Sequence, residues 1–174
     1  MHTKYIHIFF ALLLVSSLSF SQDNSKTVHE IRQKVATINT TKFPVIRKID
    51  DAEAFLGHAS DNGGELVGYI KNDTIYKIHE SVGLSYGFVN VDYYLERDTM
   101  IFAYLVEKQF GLQNDGTVDL SKQKTTFEGR YYCSNGRLIK QIETGAKTVS
   151  DYKLPLTLID DAKKYVAILK RKNR

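Results

Sequence analysis

Three stretches of the chain align with one another: Tyr69-Ile-Lys-Asn-Asp-Thr-Ile-Tyr76, Tyr94-Leu-Glu-Arg-Asp-Thr-Met-Ile101 and Tyr132-Cys-Ser-Asn-Gly-Arg-Leu-Ile139. Each opens on Tyr, places a two-residue turn at its fourth and fifth positions, and returns with large apolar residues at its seventh and eighth. The pattern describes a strand that ends, a chain reversal, and a second strand that brings apolar side chains back to a packed surface. Asn135-Gly136 is the strongest of the turns, because Asn and Gly tolerate the positive φ angles that a tight hairpin requires. Three such hairpins in succession make an antiparallel meander. Chance similarity among hairpins is the competing explanation of so short a repeat.

Working outward, Glu65 to Lys71 and Thr74 to Glu80 read as the strands of the first hairpin, and Phe127 to Cys133 and Arg137 to Ile142 as those of the last. Between them Val89, Val91, Tyr93 and Leu95 alternate with Asn90, Asp92, Tyr94 and Glu96, the period of a half-buried strand. Met100 to Val106 is apolar on both faces and belongs at the centre of a sheet covered on each side. Val45 to Ile49 and Glu53 to His58 are weaker strand candidates, and Gly111 to Lys124 reads as a polar loop around Asn114-Asp115-Gly116. Helices close both ends. Val28, Ile31, Val35 and Ile38 recur at helical spacing behind a Thr27/Glu30 capping box, and Leu156, Ile159, Ala162, Val166 and Leu169 do so after Pro155. The expected fold is α+β: a meander of about six to eight strands from Glu65 to Glu143, flanked by amphipathic helices at Thr27 to Asn39 and Pro155 to Lys170.

The first 21 residues read as a secretory signal peptide: Lys4, then the apolar run from Ile8 to Val15, then Ser19-Phe20-Ser21 before the polar Gln22-Asp-Asn-Ser-Lys26. The apolar run is about half of the roughly 20 residues a bilayer span needs, which weighs against the alternative of an uncleaved anchor. Residues 22–174 then form one domain in the periplasm or medium. Its single cysteine, Cys133, permits neither an internal disulfide nor a cysteine-rich zinc site. With 43% hydrophobic residues in 174, the chain is too apolar for a disordered protein.

Charge is uneven. The last twelve residues hold six cations (Lys163, Lys164, Lys170, Arg171, Lys172, Arg174) and no acid, while Gln22 to Ala162 carries 17 Lys plus Arg against 20 Asp plus Glu. A basic end can meet nucleic acid, lipid headgroups or anionic glycans. Cations are also simply favoured at the C-terminal end of a helix by its dipole, so nucleic acid is not the expected partner.

The run Tyr131-Tyr-Cys-Ser-Asn-Gly-Arg-Leu-Ile-Lys140, with Val91-Asp-Tyr-Tyr-Leu and Met100-Ile-Phe-Ala-Tyr upstream, resembles a group of small exported proteins of Bacteroidota with a Tyr-Tyr pair followed by an Asn-Gly turn. It is also similar, more distantly, to the Tyr-x-x-Asn-Gly hairpins of MORN-like repeats. The resemblance covers about residues 64 to 143 and implies location and fold; it assigns no catalytic residue and no cofactor.

Motifs for ordinary hydrolases, zincins and phosphate loops are absent from the sequence. His79 and Glu80 are strand neighbours and point to opposite faces, so they cannot share one metal ion. His58 and Asp61 add no ligand spacing, and Cys133 has no partner histidine that sequence can identify. The tyrosines carry more weight. In Tyr93-Tyr94 and in Tyr131-Tyr132 one ring must stand on each face of the sheet. Tyr69, Tyr94 and Tyr132 therefore become the candidate binding surface, for an envelope protein, a peptide or a glycan, unless a helix or loop covers that face. The expected function is a non-catalytic binding module without cofactor or metal. The alternative is an extracytoplasmic hydrolase-type enzyme whose site draws on residues such as Tyr94, Asp92 and His79.

Overall fold

In a computed structural model, which describes residues 24–148 and 155–171, both turn positions of all three hairpins adopt left-handed backbone. The φ angles are 50° and 57° at Asn72-Asp73, 50° and 62° at Arg97-Asp98, and 51° and 71° at Asn135-Gly136. Each hairpin then carries a one-residue bulge on its returning strand. Tyr69 pairs with Lys77 but Ile70 with Ile75, Tyr94 with Phe102 but Leu95 with Met100, and Tyr132 with Lys140 but Cys133 with Leu138. The extra residues are Tyr76, Ile101 and Ile139, the eighth positions of the three aligned stretches. The repeat is thus a shared backbone device, turn plus bulge, which re-aims two successive apolar side chains.

Seven strands form one sheet in sequential antiparallel order: β1 (Val45–Ile49), β2 (Gly64–Lys71), β3 (Thr74–Leu84), β4 (Gly87–Glu96), β5 (Thr99–Leu112), β6 (Val118–Ser134) and β7 (Arg137–Gly145). Helix α1 spans 24–40, α2 Ala52–Leu56 and α3 Pro155–Lys170. The segment read as a signal peptide lies outside the described residues, and no helix among the described residues is long and apolar enough to cross a membrane.

Two corrections to the sequence reading follow. Glu53 to His58 is not a strand: Ala52–Leu56 is a short helix, with the Asp51 side chain accepting from the Glu53 N–H at its start and Gly57, at φ 88°, closing it. Gly111 to Lys124 is not one loop, since β5 runs on to Leu112 and β6 begins at Val118 around a 113–117 turn. Because β4 stops pairing at Gly87↔Gln109 and β7 at Phe127↔Gly145, this ribbon projects beyond its neighbours.

The sheet has a core on each face. On one, α2 and α3 pack over Leu66, Ile78, Val91, Tyr93, Leu105 and Tyr131. Gly68 lets α3 come close, since a Cβ there would stand 2.9 Å from a Leu169 methyl. Lys170 pairs with Asp98, and Arg47 donates to the Leu169 carbonyl, so the helix end is pinned to the sheet. On the other face α1 sets Val28, Ile31 and Ile38 against Tyr94, Ile101, Phe102 and Tyr132.

The placement of α1 follows from simple lengths. Asn39 Oδ1 accepts from the Tyr94 hydroxyl (2.9 Å), and Arg32 Nε donates to the Tyr132 hydroxyl (3.2 Å). Those helix positions are seven residues apart, which is roughly 10.5 Å of α-helix. Their tyrosines are two strands apart, roughly 9.6 Å. Two turns of helix therefore advance α1 by one hairpin.

Candidate functional site

Cross-strand pairing builds the aromatic row that the sequence implies. Ile46, Tyr69, Lys77, Tyr94, Phe102, Tyr132 and Lys140 stand opposite one another in order across all seven strands. Phe102 lies between Tyr94 and Tyr132, with ring centroids 5.6 and 4.9 Å away. Lys77 Nζ lies 5.8 Å from the Tyr69 ring centroid and 5.2 Å from that of Tyr94. All three candidate tyrosines share one face and one row. The condition attached to them as a binding surface decides the matter, however: α1 covers the row, leaving Tyr94 and Tyr132 each 4% exposed. Only Tyr69 is half-buried, beside Phe43 at 5.8 Å between ring centroids.

One pleat further along the same face, the next row is uncovered enough to meet solvent. It runs Val67, His79, Asp92, Tyr104, Arg130 and Ile142 from β2 to β7. His79, Asp92, Tyr104 and Arg130 are all half-buried. Behind them a third row carries Glu65, Ser81, Asn90, Val106, Glu128 and Thr144.

Two linked polar groups organise this surface. His79 Nδ1 lies 2.7 Å from Asp92 Oδ1, and Lys77 Nζ lies 3.0 Å from Asp92 Oδ2. Burial opposes the charge on Asp92, but the His79 hydrogen bond and the Lys77 ammonium outweigh it and hold the carboxyl below its usual range. Burial likewise opposes the charge on Lys77, and Asp92 reverses the balance, so the ammonium is held above its ordinary range. In the tautomer that donates Nδ1–H to the carboxylate, Nε2 is left as an acceptor. Next to this, Arg130 donates to Glu128 Oε2 (2.9 Å) and stacks over Tyr104, 4.9 Å from its ring centroid. The Tyr104 hydroxyl is pushed upward, first by burial and then by its hydrogen bond to Glu128.

The arrangement separates the trio considered for an enzyme. His79 and Asp92 meet, but Tyr94 lies a row away with its hydroxyl turned to Asn39. The other titratable candidates are occupied locally. The His58 ring bonds the Ala59 carbonyl (2.9 Å), and Asp61 accepts from the Ser85 N–H (3.1 Å). Burial pushes the Cys133 thiol up to about 11, away from thiolate chemistry. Of the basic C-terminal cations, Lys163 pairs with Asp160, Lys164 donates to the Leu56 carbonyl and Lys170 holds Asp98, which is structural work. Sequence reasoning missed Lys77, Tyr104, Glu128 and Arg130. Their grouping depends on register, which residue types alone do not disclose.

The fold so defined is an antiparallel meander sheet with helices on both faces. No family model, curated protein or solved structure matches the chain.

Proposed function

We propose that the chain is an exported, non-catalytic binding module whose contact surface is the half of the α1-side sheet face that α1 leaves uncovered, and whose ligand is an envelope protein, a peptide or a glycan. The observation that carries this is the row His79, Asp92, Tyr104 and Arg130: four polar or aromatic side chains, half-buried, fixed on four adjacent strands as two contacting pairs, His79 hydrogen-bonded to Asp92 and Arg130 stacked on Tyr104. Such a surface offers donors, acceptors and a ring at low entropic cost, because rigid strands hold it. The signal-like first 21 residues support export.

The test is capture from envelope extract by immobilised chain beginning at Gln22. The variant Arg130→Ala should lose the retained species while its melting point stays within a few degrees, since a half-exposed ion pair such as Arg130–Glu128 contributes only about 0–1 kcal/mol. Equal capture by both proteins contradicts the assignment. One observation favours a second reading, a hydrolase-type enzyme: the 2.7 Å contact between His79 and Asp92, which orients an imidazole as a base is oriented. Turnover of any ester or glycoside that is abolished by Asp92→Asn would decide for it.

A further inference from the structure

The three hairpins place different residues at the same left-handed turn position. Asn72 and Asn135 occupy it in the first and third, which is the expected chemistry, because Asn tolerates φ near +50°. In the second hairpin Arg97 stands there, at φ 50°. A long cationic side chain gains nothing from that backbone, and residues held in such conformations cluster at ligand sites.

Arg97 stands beside two cavities that meet beneath the edge of α1. One, of about 610 Å³, has an apolar floor from Ile38, Tyr76, Leu95 and Ile101. The other, of about 740 Å³, runs on toward Met100 and Cys133. Both share Arg97, Ile101, Glu30 and the Lys34–Glu96 pair, so they adjoin along the α1 edge, and the first is the apolar-floored trough. Lys34 is neutralised there, with Nζ 2.7 Å from each Glu96 oxygen. Arg97 makes no ion pair among the described residues. It is the cation of this lining left to receive an anion at the rim of the apolar-floored cavity, and exposed Glu30 on the α1 wall disfavours a negative group elsewhere along the rim.

We propose that this trough binds an amphipathic carboxylate: an aliphatic or aromatic body lying on Ile101 and Tyr76, with its anionic end on the Arg97 guanidinium. The volume is in the range of small-ligand sites, and a guanidinium recognises a carboxylate through two parallel hydrogen bonds. This site lies at the hairpin tips, apart from the open half of the sheet.

Titration of the chain beginning at Gln22 with sodium dodecanoate, below its micelle concentration, tests the proposal. The protein should bind it, and should bind dodecanol and dodecylammonium more weakly. Arg97→Asn gives the turn the residue found in the other two copies, so its melting point should rise by about 2–4 °C. The same substitution should weaken dodecanoate binding by about 10-fold or more. Tyr76→Ala should weaken all three probes alike. No dodecanoate binding, undiminished binding by Arg97→Asn, or dodecylammonium binding as tight as dodecanoate would each overturn the proposal.

Discussion

Replacing either ring of Tyr93-Tyr94 by Ala should cost about 3–5 kcal/mol, and the same should hold within Tyr131-Tyr132. A single-core sheet predicts unequal losses, since neighbouring side chains point to opposite faces and one of them would stand in water. Here both faces are cores. Tyr93 and Tyr131 are 0% exposed on the α3 side, and Tyr94 and Tyr132 are 4% exposed on the α1 side. Each hydroxyl also has an anchor. Tyr93 and Tyr131 bond Glu80 (2.8 Å) and Glu143 (2.6 Å), while Tyr94 and Tyr132 bond Asn39 and Arg32 of α1. Urea melts of the four single variants should therefore show losses of similar size within each pair. A loss near 1 kcal/mol for Tyr94 or Tyr132 would mean that α1 does not seal that row.

The second large effect belongs to Glu80, a carboxylate with 0% exposure in an apolar core. Its Oε1 accepts from the Tyr165 hydroxyl of α3 at 2.7 Å and its Oε2 from the Tyr93 hydroxyl of β4 at 2.8 Å, so it joins helix to sheet. Burial, and then the Glu80 charge, drive the Tyr93 hydroxyl well above its ordinary range, which keeps it a donor. Glu80→Ala strips the acceptor from two buried hydroxyls at once. With about 1–3 kcal/mol for a buried donor left unsatisfied at Tyr93, the expected loss is at least about 1–3 kcal/mol. Glu80→Gln keeps the shape and one carbonyl oxygen and should lose less than half of that. A near-neutral Glu80→Ala would show that the tyrosines find water instead.

Most of the fold was legible because its signals are local. Apolar spacing marks α1 and α3, alternation marks β4, and the double apolar character of Met100 to Val106 anticipates a strand covered on both sides, although not that helices cover both. Two elements escaped. Helix α2 has only five residues, too few to show a period, although Asp51 and Gly57 stand at its ends as cap residues do. The projecting ribbon escaped because its pairing slips between Phe110 and Gly111, which breaks the alternation that marks a strand. The candidate site was legible only in pieces. The repeat puts Tyr69, Tyr94 and Tyr132 at corresponding positions, but whether they form one row depended on the strand pairing, and whether a helix lay over them on a tertiary contact. His79 could be seen, and so could Asp92; that they face each other is a consequence of the β3–β4 register, in which Lys77 pairs with Tyr94 two residues earlier.

The central claim is that α1 covers a second core on its face of the sheet. Its most direct measurement compares urea unfolding and anilinonaphthalene sulfonate fluorescence of two chains, one beginning at Gln22 and one at Lys42. Losing Val28, Ile31 and Ile38, at about 1.5–3 kcal/mol for each buried side chain, removes an amount comparable to the whole stability of a small domain, about 5–15 kcal/mol. The shorter chain should therefore lose its cooperative transition and bind the dye strongly through the uncovered Tyr94, Phe102 and Tyr132. An unchanged midpoint and no gain in dye fluorescence would contradict the account and return the aromatic row to solvent.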